Sequence, residues 1–194
     1  MSLPRERILL TTLELEDIEI DILNRRHIER YALIRQFLHG VVLDASCGCG
    51  YGSHLISKNP DIEEVIGIDI AEYAIDWAKE HFQTEKTRFL NCSFETFNEK
   101  HHLHKIKADV LVSLETIEHL KHPEVLNELA ENCDVKEIFI SYPSKKTTHY
   151  NNYHFRDFID DEIIRIFKNY KLVDVIDLHR EVRILKLEKY VSSI

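Results

Sequence analysis

"VVLDASCGCGYGS" occupies residues 41–53: a short apolar run ends in an acid, Asp44, and glycines follow at every second position. The 194-residue chain holds five glycines, and three of them, Gly48, Gly50 and Gly52, fall in this one loop. Glycine lets a backbone turn tightly and approach a ligand without a Cβ in the way. A helix follows through "GSHLISK". Its N-terminus would offer free N–H groups and a positive dipole to a carboxylate or phosphate.

Outward from this unit, strand-like and helix-like runs alternate. "EVIGIDI" reads as a strand before the helix "AEYAIDWAKEHF", and "TRFLNCS" reads as a third strand. "ADVLVSLE" precedes the helix "HPEVLNELAEN", and "EIFISYP" is a fifth strand. This rhythm predicts an α/β fold with a doubly wound, mostly parallel sheet. After the helix "DEIIRIFKNY", the runs "KLVDVIDL" and "VRILKLEKY" are separated only by "HRE". So short a link allows only an antiparallel hairpin, which brings the sheet to seven strands. Before the first strand, Ile28, Tyr31, Ile34, Phe37 and Leu38 recur three or four apart, as in an amphipathic helix, with Gly40 expected as its C-cap. His101, His102 and His104, in "HHLH", are expected in an exposed polar connection, with adventitious metal binding as the alternative.

The length suits one domain over 1–194, with 1–40 as an N-terminal helical cap segment. Apolar runs fall well short of a membrane helix and no signal-peptide pattern opens the chain, so the expected location is cytoplasmic. Acidic residues outnumber basic ones 34 to 25, a formal net charge of −9, which disfavours nucleic acid as a partner. Cys47 and Cys49 form a lone C-x-C, and with Cys92 and Cys133 they are expected to be reduced structural thiols.

In open α/β sheets ligands bind beyond the carboxyl ends of the strands, where the 46–52 loop falls. Asp69 ends the second strand about 20 residues after the loop, the distance of a ribose-binding acid. Asp44 adds negative charge beside the ligand, which would repel a pyrophosphate but suits a cation. S-adenosylmethionine (SAM) combines a ribose, an ammonium and a sulfonium. A dinucleotide fold would want glycine at Ser53 and no acid at 44.

On "VVLDASCGCGYGS", "VIGIDIAEYAIDWA" and "ADVLVSLETIEHLKHPE", the chain resembles the class I, Rossmann-like SAM-dependent methyltransferases over nearly its whole length. "RHIERY" and "SYPS…NNYHFRDF" resemble a subgroup acting on small molecules and sugars. The resemblance implies that Asp44, Ser46, Gly48, Gly50, Asp69 and Ile70 bind SAM, with Ser46 in place of the family's first loop glycine. The acid often found after the third strand is absent, so adenine would be read by Ser93, backbone and apolar packing. Arg30 would pair the methionine carboxylate and Tyr31 pack on the ligand; the alternative is a surface arginine and a core tyrosine.

Acceptor chemistry should lie beyond the fourth and fifth strands. Glu115, Glu118 and His119 form an E-x-x-E-H set, and His154, Arg156 and Asp157 follow the fifth strand in a loop that would close over the substrate. Three readings stand. His119 is a general base, oriented by a carboxylate, for a substrate hydroxyl. Alternatively Glu115, Glu118, His119 and His154 hold a divalent cation, an arrangement similar to the metal site of Hen-type small-RNA 2′-O-methyltransferases. In the third they only fix loops. The expected function is methyl transfer to a hydroxyl on a small-molecule or sugar-type acceptor. The alternatives are metal-assisted RNA 2′-O-methylation and a silent SAM-binding module. Apart from the N-terminal segment and the 143–160 loop, the short chain leaves little room for a lid, which points to an open acceptor site or to an oligomer or partner subunit.

Overall fold

A computed structural model describes residues 12–104 and 106–190. In chain order the strands are β1 (Gly40–Ala45), β2 (Ile62–Asp69), β3 (Thr87–Asn91), β4 (Val110–Ser113), β5 (Glu137–Pro143), β6 (Tyr170–Leu178) and β7 (Val182–Lys189). The helices are α1 (Thr12–Ile34), α2 (Tyr51–Ser57), α3 (Glu72–Phe82), α4 (Phe94–His104), α5 (Val125–Asn132) and α6 (Asp160–Ile166). The strands lie in the order β3-β2-β1-β4-β5-β7-β6. β7 runs antiparallel between β5 and β6, as the short "HRE" link required. The order reverses between β1 and β4, which pair side by side, so their carboxyl ends open the crevice where such sheets bind ligands.

Successive side chains of a strand face opposite sides of the sheet. Val42 packs with Tyr31, Ile34, Leu38 and Ile56, under α1 and α2. Leu43 and Ala45 face the other way, toward Phe97, Leu126, Leu129 and Ile163 of α4, α5 and α6. Asp44 therefore points to the α1 side, and it has no exposed surface.

Two local expectations differ from the structure. The "HHLH" histidines lie in α4, not in a connection; its buried Phe94 and Phe97 supply the apolar face, and the histidine side chains lie outside the described residues. Gly40 does not end α1, because a 3₁₀ turn, Arg35–Phe37, follows that helix. Gly40 instead opens β1 at φ +62°, where a Cβ would strike the Asp109 carboxylate. That carboxylate is held there by the Val41 N–H, which donates to it at 3.0 Å.

Gly52 serves the packing of α2 against α1: a Cβ there would run into the Tyr31 ring. Gly52→Ala should therefore overpack this contact and cost about 1–3 kcal/mol. The expected drop in Tm is several degrees, measured by thermal unfolding. A variant as stable as wild type would show that α1 is not held at this spacing.

Candidate active site

The glycine loop leaves β1 through three left-handed residues, Ser46 at φ +63°, Gly48 at φ +53° and Gly50 at φ +85°. A serine in this conformation costs roughly 1–2 kcal/mol, the strain that the missing glycine would have avoided. At Gly48 a built Cβ meets nothing within 4 Å, so the loop backbone stands open to whatever lies in front of it. Asp69 fixes the loop from the end of β2. Its Oδ2 accepts the Gly48 N–H and its Oδ1 the Ala71 N–H, both at 2.9 Å. Each carboxylate oxygen carries two lone pairs, so capacity remains for further donors.

Behind the loop, Asp44 accepts hydrogen bonds from Ser53 Oγ (2.6 Å) and Tyr31 Oη (3.2 Å). Burial pushes its carboxyl up to about 6, although both hydrogen bonds pull the other way.

A cavity of about 780 Å³ opens in front of the loop, lined by Ser46, Asp69, Ile70, Tyr73, Ser93 and Tyr153 among others. Ile70 and Tyr73 are 74% and 79% exposed, an apolar rim suited to covering a flat ring. A second cavity, of about 530 Å³, lies beyond β4 and β5 between α1 and the β6–β7 turn. Glu115 and His119 line both cavities, so they form the partition between them.

Glu115 is a non-glycine residue at φ +51°. Such strain persists only where the surroundings over-determine it. Ser141, at the end of β5, supplies that determination: its Oγ accepts the Glu115 N–H and donates to Glu115 Oε1, both at 2.8 Å. Arg30 faces Oε2 at 3.4 Å. Glu118 is buried, its Oε2 has no hydrogen-bond partner, and burial, aided by the Glu115 charge, pushes its carboxyl up to about 8. The His119 and His154 rings meet edge-on at 4.6 Å between centroids. Glu118, His119 and His154 each place one ligand atom within 4.8 Å of the others.

Residues 42–135 match a family model described as a methyltransferase domain. Over that stretch the chain matches a methyltransferase domain, and its seven-strand sheet is the class I methyltransferase fold. No curated protein matches the sequence at a significant level. Among solved structures, the methyltransferase domain of bacterial CtHen1-C is similar at 14% identity and TM-score 0.67, over 86% of this chain and 97% of that one. The magnesium protoporphyrin IX methyltransferase ChlM from Synechocystis PCC 6803, with bound SAH, is similar at 16% identity and TM-score 0.66 over 95% and 90%. A putative methyltransferase in complex with the Haloferax volcanii Trm112 activator is similar at 13% identity and TM-score 0.68 over 85% and 90%.

In this chain the open Gly48 backbone, the spare lone pairs of Asp69 and the Ile70–Tyr73 rim fit SAM. Of the residues expected to hold it, Ser46, Asp69, Ile70 and Ser93 line the larger cavity. Asp44 and Tyr31 are buried, and Gly50 starts α2. Arg30 lines the smaller cavity and is buried against Glu115 and His27 Nδ1 (3.1 Å), so in this structure it is neither a surface arginine nor beside the larger cavity. Ser93 Oγ is engaged in capping α4, where it accepts the Thr96 N–H at 3.1 Å. Glu115, Glu118, His119 and His154 all line the smaller cavity. His119 is oriented by the Tyr153 backbone carbonyl, 3.0 Å from Nδ1, and not by a carboxylate. Sequence reasoning missed Tyr73, Ser141, Asn151 and Tyr153; only Asn151, two residues before a backbone N–H it accepts, carried a local turn signal.

The buried Asp44 has a pH signature. Its pKa in the folded chain, about 6, lies above the ordinary 3.8, so folding favours its protonated form. The stability it contributes is full below about pH 4 and is lost as pH rises through about 6, on the order of 3 kcal/mol. Asp44→Asn should remove this component. The wild-type-minus-variant difference in unfolding free energy is expected to fall by about that amount between pH 4 and pH 7. Equal pH profiles would show that Asp44 is not desolvated.

Proposed function

We propose that the chain transfers the methyl group of SAM to a hydroxyl on a small-molecule or sugar-type acceptor, with His119 as general base. The observation that carries this reading is the shared wall: Glu115 and His119 face both cavities. The smaller cavity, at about 530 Å³, has the size of a small-molecule site. SAM supplies a methyl carbon on a sulfonium, an activated leaving group, so the chain has to align the reactants and accept a proton. With Nδ1 donating to the Tyr153 carbonyl, His119 keeps the Nε2 lone pair for that proton. Arg30 and Ser141 hold the Glu115 carboxylate against burial, and the protonated Glu118 can donate to an acceptor oxygen. The 194 residues act here as one unit, with α1 as a wall of the acceptor cavity. Exposed Tyr150 beside that cavity, with exposed Tyr153 and Phe155 in the same loop, supports contact with a partner subunit or a second copy.

A second reading adds a divalent cation. The orphaned Oε2 of Glu118 and its closeness to two imidazoles support it, and one carboxylate with two histidines suits a first-row cation. Such a cation would acidify a bound hydroxyl, as at the ribose end of an RNA. Against it, both ring nitrogens of His154 are already engaged, by Thr147 Oγ1 at 2.6 Å and Asn151 Nδ2 at 2.7 Å.

His119→Asn is expected to lower kcat by about 10²–10⁴-fold while S-adenosylhomocysteine still binds, measured by calorimetry beside an acceptor screen. Retained kcat would remove His119 as the base. Glu118→Gln should keep activity within about threefold, in excess chelator as well, because the side chain it replaces is already neutral; a larger loss, or activity abolished by chelator in wild type, would favour the cation. Binding of the homocysteine product without turnover on any acceptor would leave a binding module.

A further inference from the structure

The loop after β5 contains a run of hydrogen bonds with one consistent direction, continued through the backbone of Tyr153. It starts at Asp157, an acceptor whose carboxyl is held down to about 2, foremost by the Thr147 N–H at 2.7 Å. Thr148 donates to the same carboxylate from its N–H (3.1 Å) and its Oγ1 (2.7 Å). Thr147 Oγ1 also donates to it, at 3.3 Å, and is thereby left to accept from His154 Nδ1 at 2.6 Å. His154 then carries its proton on Nδ1 and presents Nε2 as an acceptor. Asn151 Nδ2 donates to it at 2.7 Å. The orientation of the Asn151 amide is fixed independently, because its Oδ1 accepts the Tyr153 N–H at 3.0 Å and a backbone N–H can only donate. The peptide chain carries the run onward: the Tyr153 carbonyl receives Nδ1 of His119. The Phe155 N–H ties the same loop to the Glu118 carbonyl at 2.8 Å, so the loop cannot drift from His119.

Asn151 thus touches both supports of the His119 ring. Its oxygen holds the Tyr153 N–H, one Cα away from the Tyr153 carbonyl that receives the His119 proton, and its nitrogen holds the His154 ring, against which His119 packs edge-on. We infer that Asn151 is a positioning residue that sets the tautomer and orientation of His119 through Tyr153 and His154. Its importance for catalysis rests on the role proposed for His119, whereas its structural content does not. The two halves of the amide also separate chemically. An aspartate in its place keeps the acceptor for the Tyr153 N–H but has no donor for His154 Nε2.

The test is imidazole ¹⁵N NMR of the whole chain, which needs neither cofactor nor acceptor. Wild type should show both His119 and His154 as single Nδ1–H tautomers. In Asn151→Ala, His119 should become a mixture of tautomers. In Asn151→Asp, His119 should return to Nδ1–H while His154 moves its proton to Nε2 or becomes protonated at both nitrogens. The stabilising shift with S-adenosylhomocysteine, kept within a few degrees of wild type, checks that the variants are folded; should Asn151→Ala fail that check, the His154 change in Asn151→Asp still decides. The inference is overturned by a wild-type His119 protonated at Nε2, by an Asn151→Ala His119 identical to wild type, or by an Asn151→Asp His154 that does not respond. A fully active His119→Asn variant with these spectra as expected would remove the proposed base but leave the positioning intact.

Discussion

A carboxylate with no exposed surface holds the cofactor side of this molecule together. Asp44 sits near the end of the central strand and is met by Tyr31 from α1 and Ser53 from α2, so three elements converge on one buried side chain. A buried acid is costly unless its oxygens are partnered, and here the partners come from the two helices that must pack over β1. The position of the Tyr31 ring then excludes any side chain at 52, and the chain turns into α2 within a few residues of the strand end. The third glycine of the loop therefore serves this packing, while the first leaves its backbone open to the cavity.

The smaller cavity depends on a second constraint, at the end of β4. Glu115 takes a left-handed backbone, and Ser141 on the neighbouring strand clamps both its N–H and its side chain. Residues held in such conformations cluster where surrounding structure over-determines them for a purpose. The clamp turns the side chain toward Arg30 and makes it a partition between the two cavities. Arg30 balances the buried charge that this requires, while burial, with the Glu115 charge beside it, pushes the Glu118 carboxyl up.

The sheet was legible because each strand is a compact apolar run and "HRE" is too short for a crossover. Asp69 and the glycine loop were legible because the distance between them is set by one strand–helix–strand unit. α4 was not: "FETFNEKHHLH" is polar along most of its length and offers little beyond two buried phenylalanines to reveal it. Arg30 was recognised as important, but its place at the smaller cavity was not legible, since nothing in a helix sequence says which of two cavities an arginine faces. The partner of His119 was beyond sequence reasoning altogether. It is a backbone carbonyl 34 residues away, and every residue type has one.

The two cavities differ in how far apart in the chain their walls lie. The loop beside the larger one is closed by a hydrogen bond spanning 21 residues, from Gly48 to Asp69. The smaller one is walled by α1 and by the turn between β6 and β7, where His179 bonds Glu29 across 150 residues and Arg26 meets Glu181 at 2.7 Å. Loop-closure entropy has to be met before such a distant contact stabilises anything, so contacts of long range form late in folding. The topology thus separates the two cavities: the Gly48–Asp69 loop closes within a local unit, whereas the wall of the smaller cavity needs both ends of the fold together.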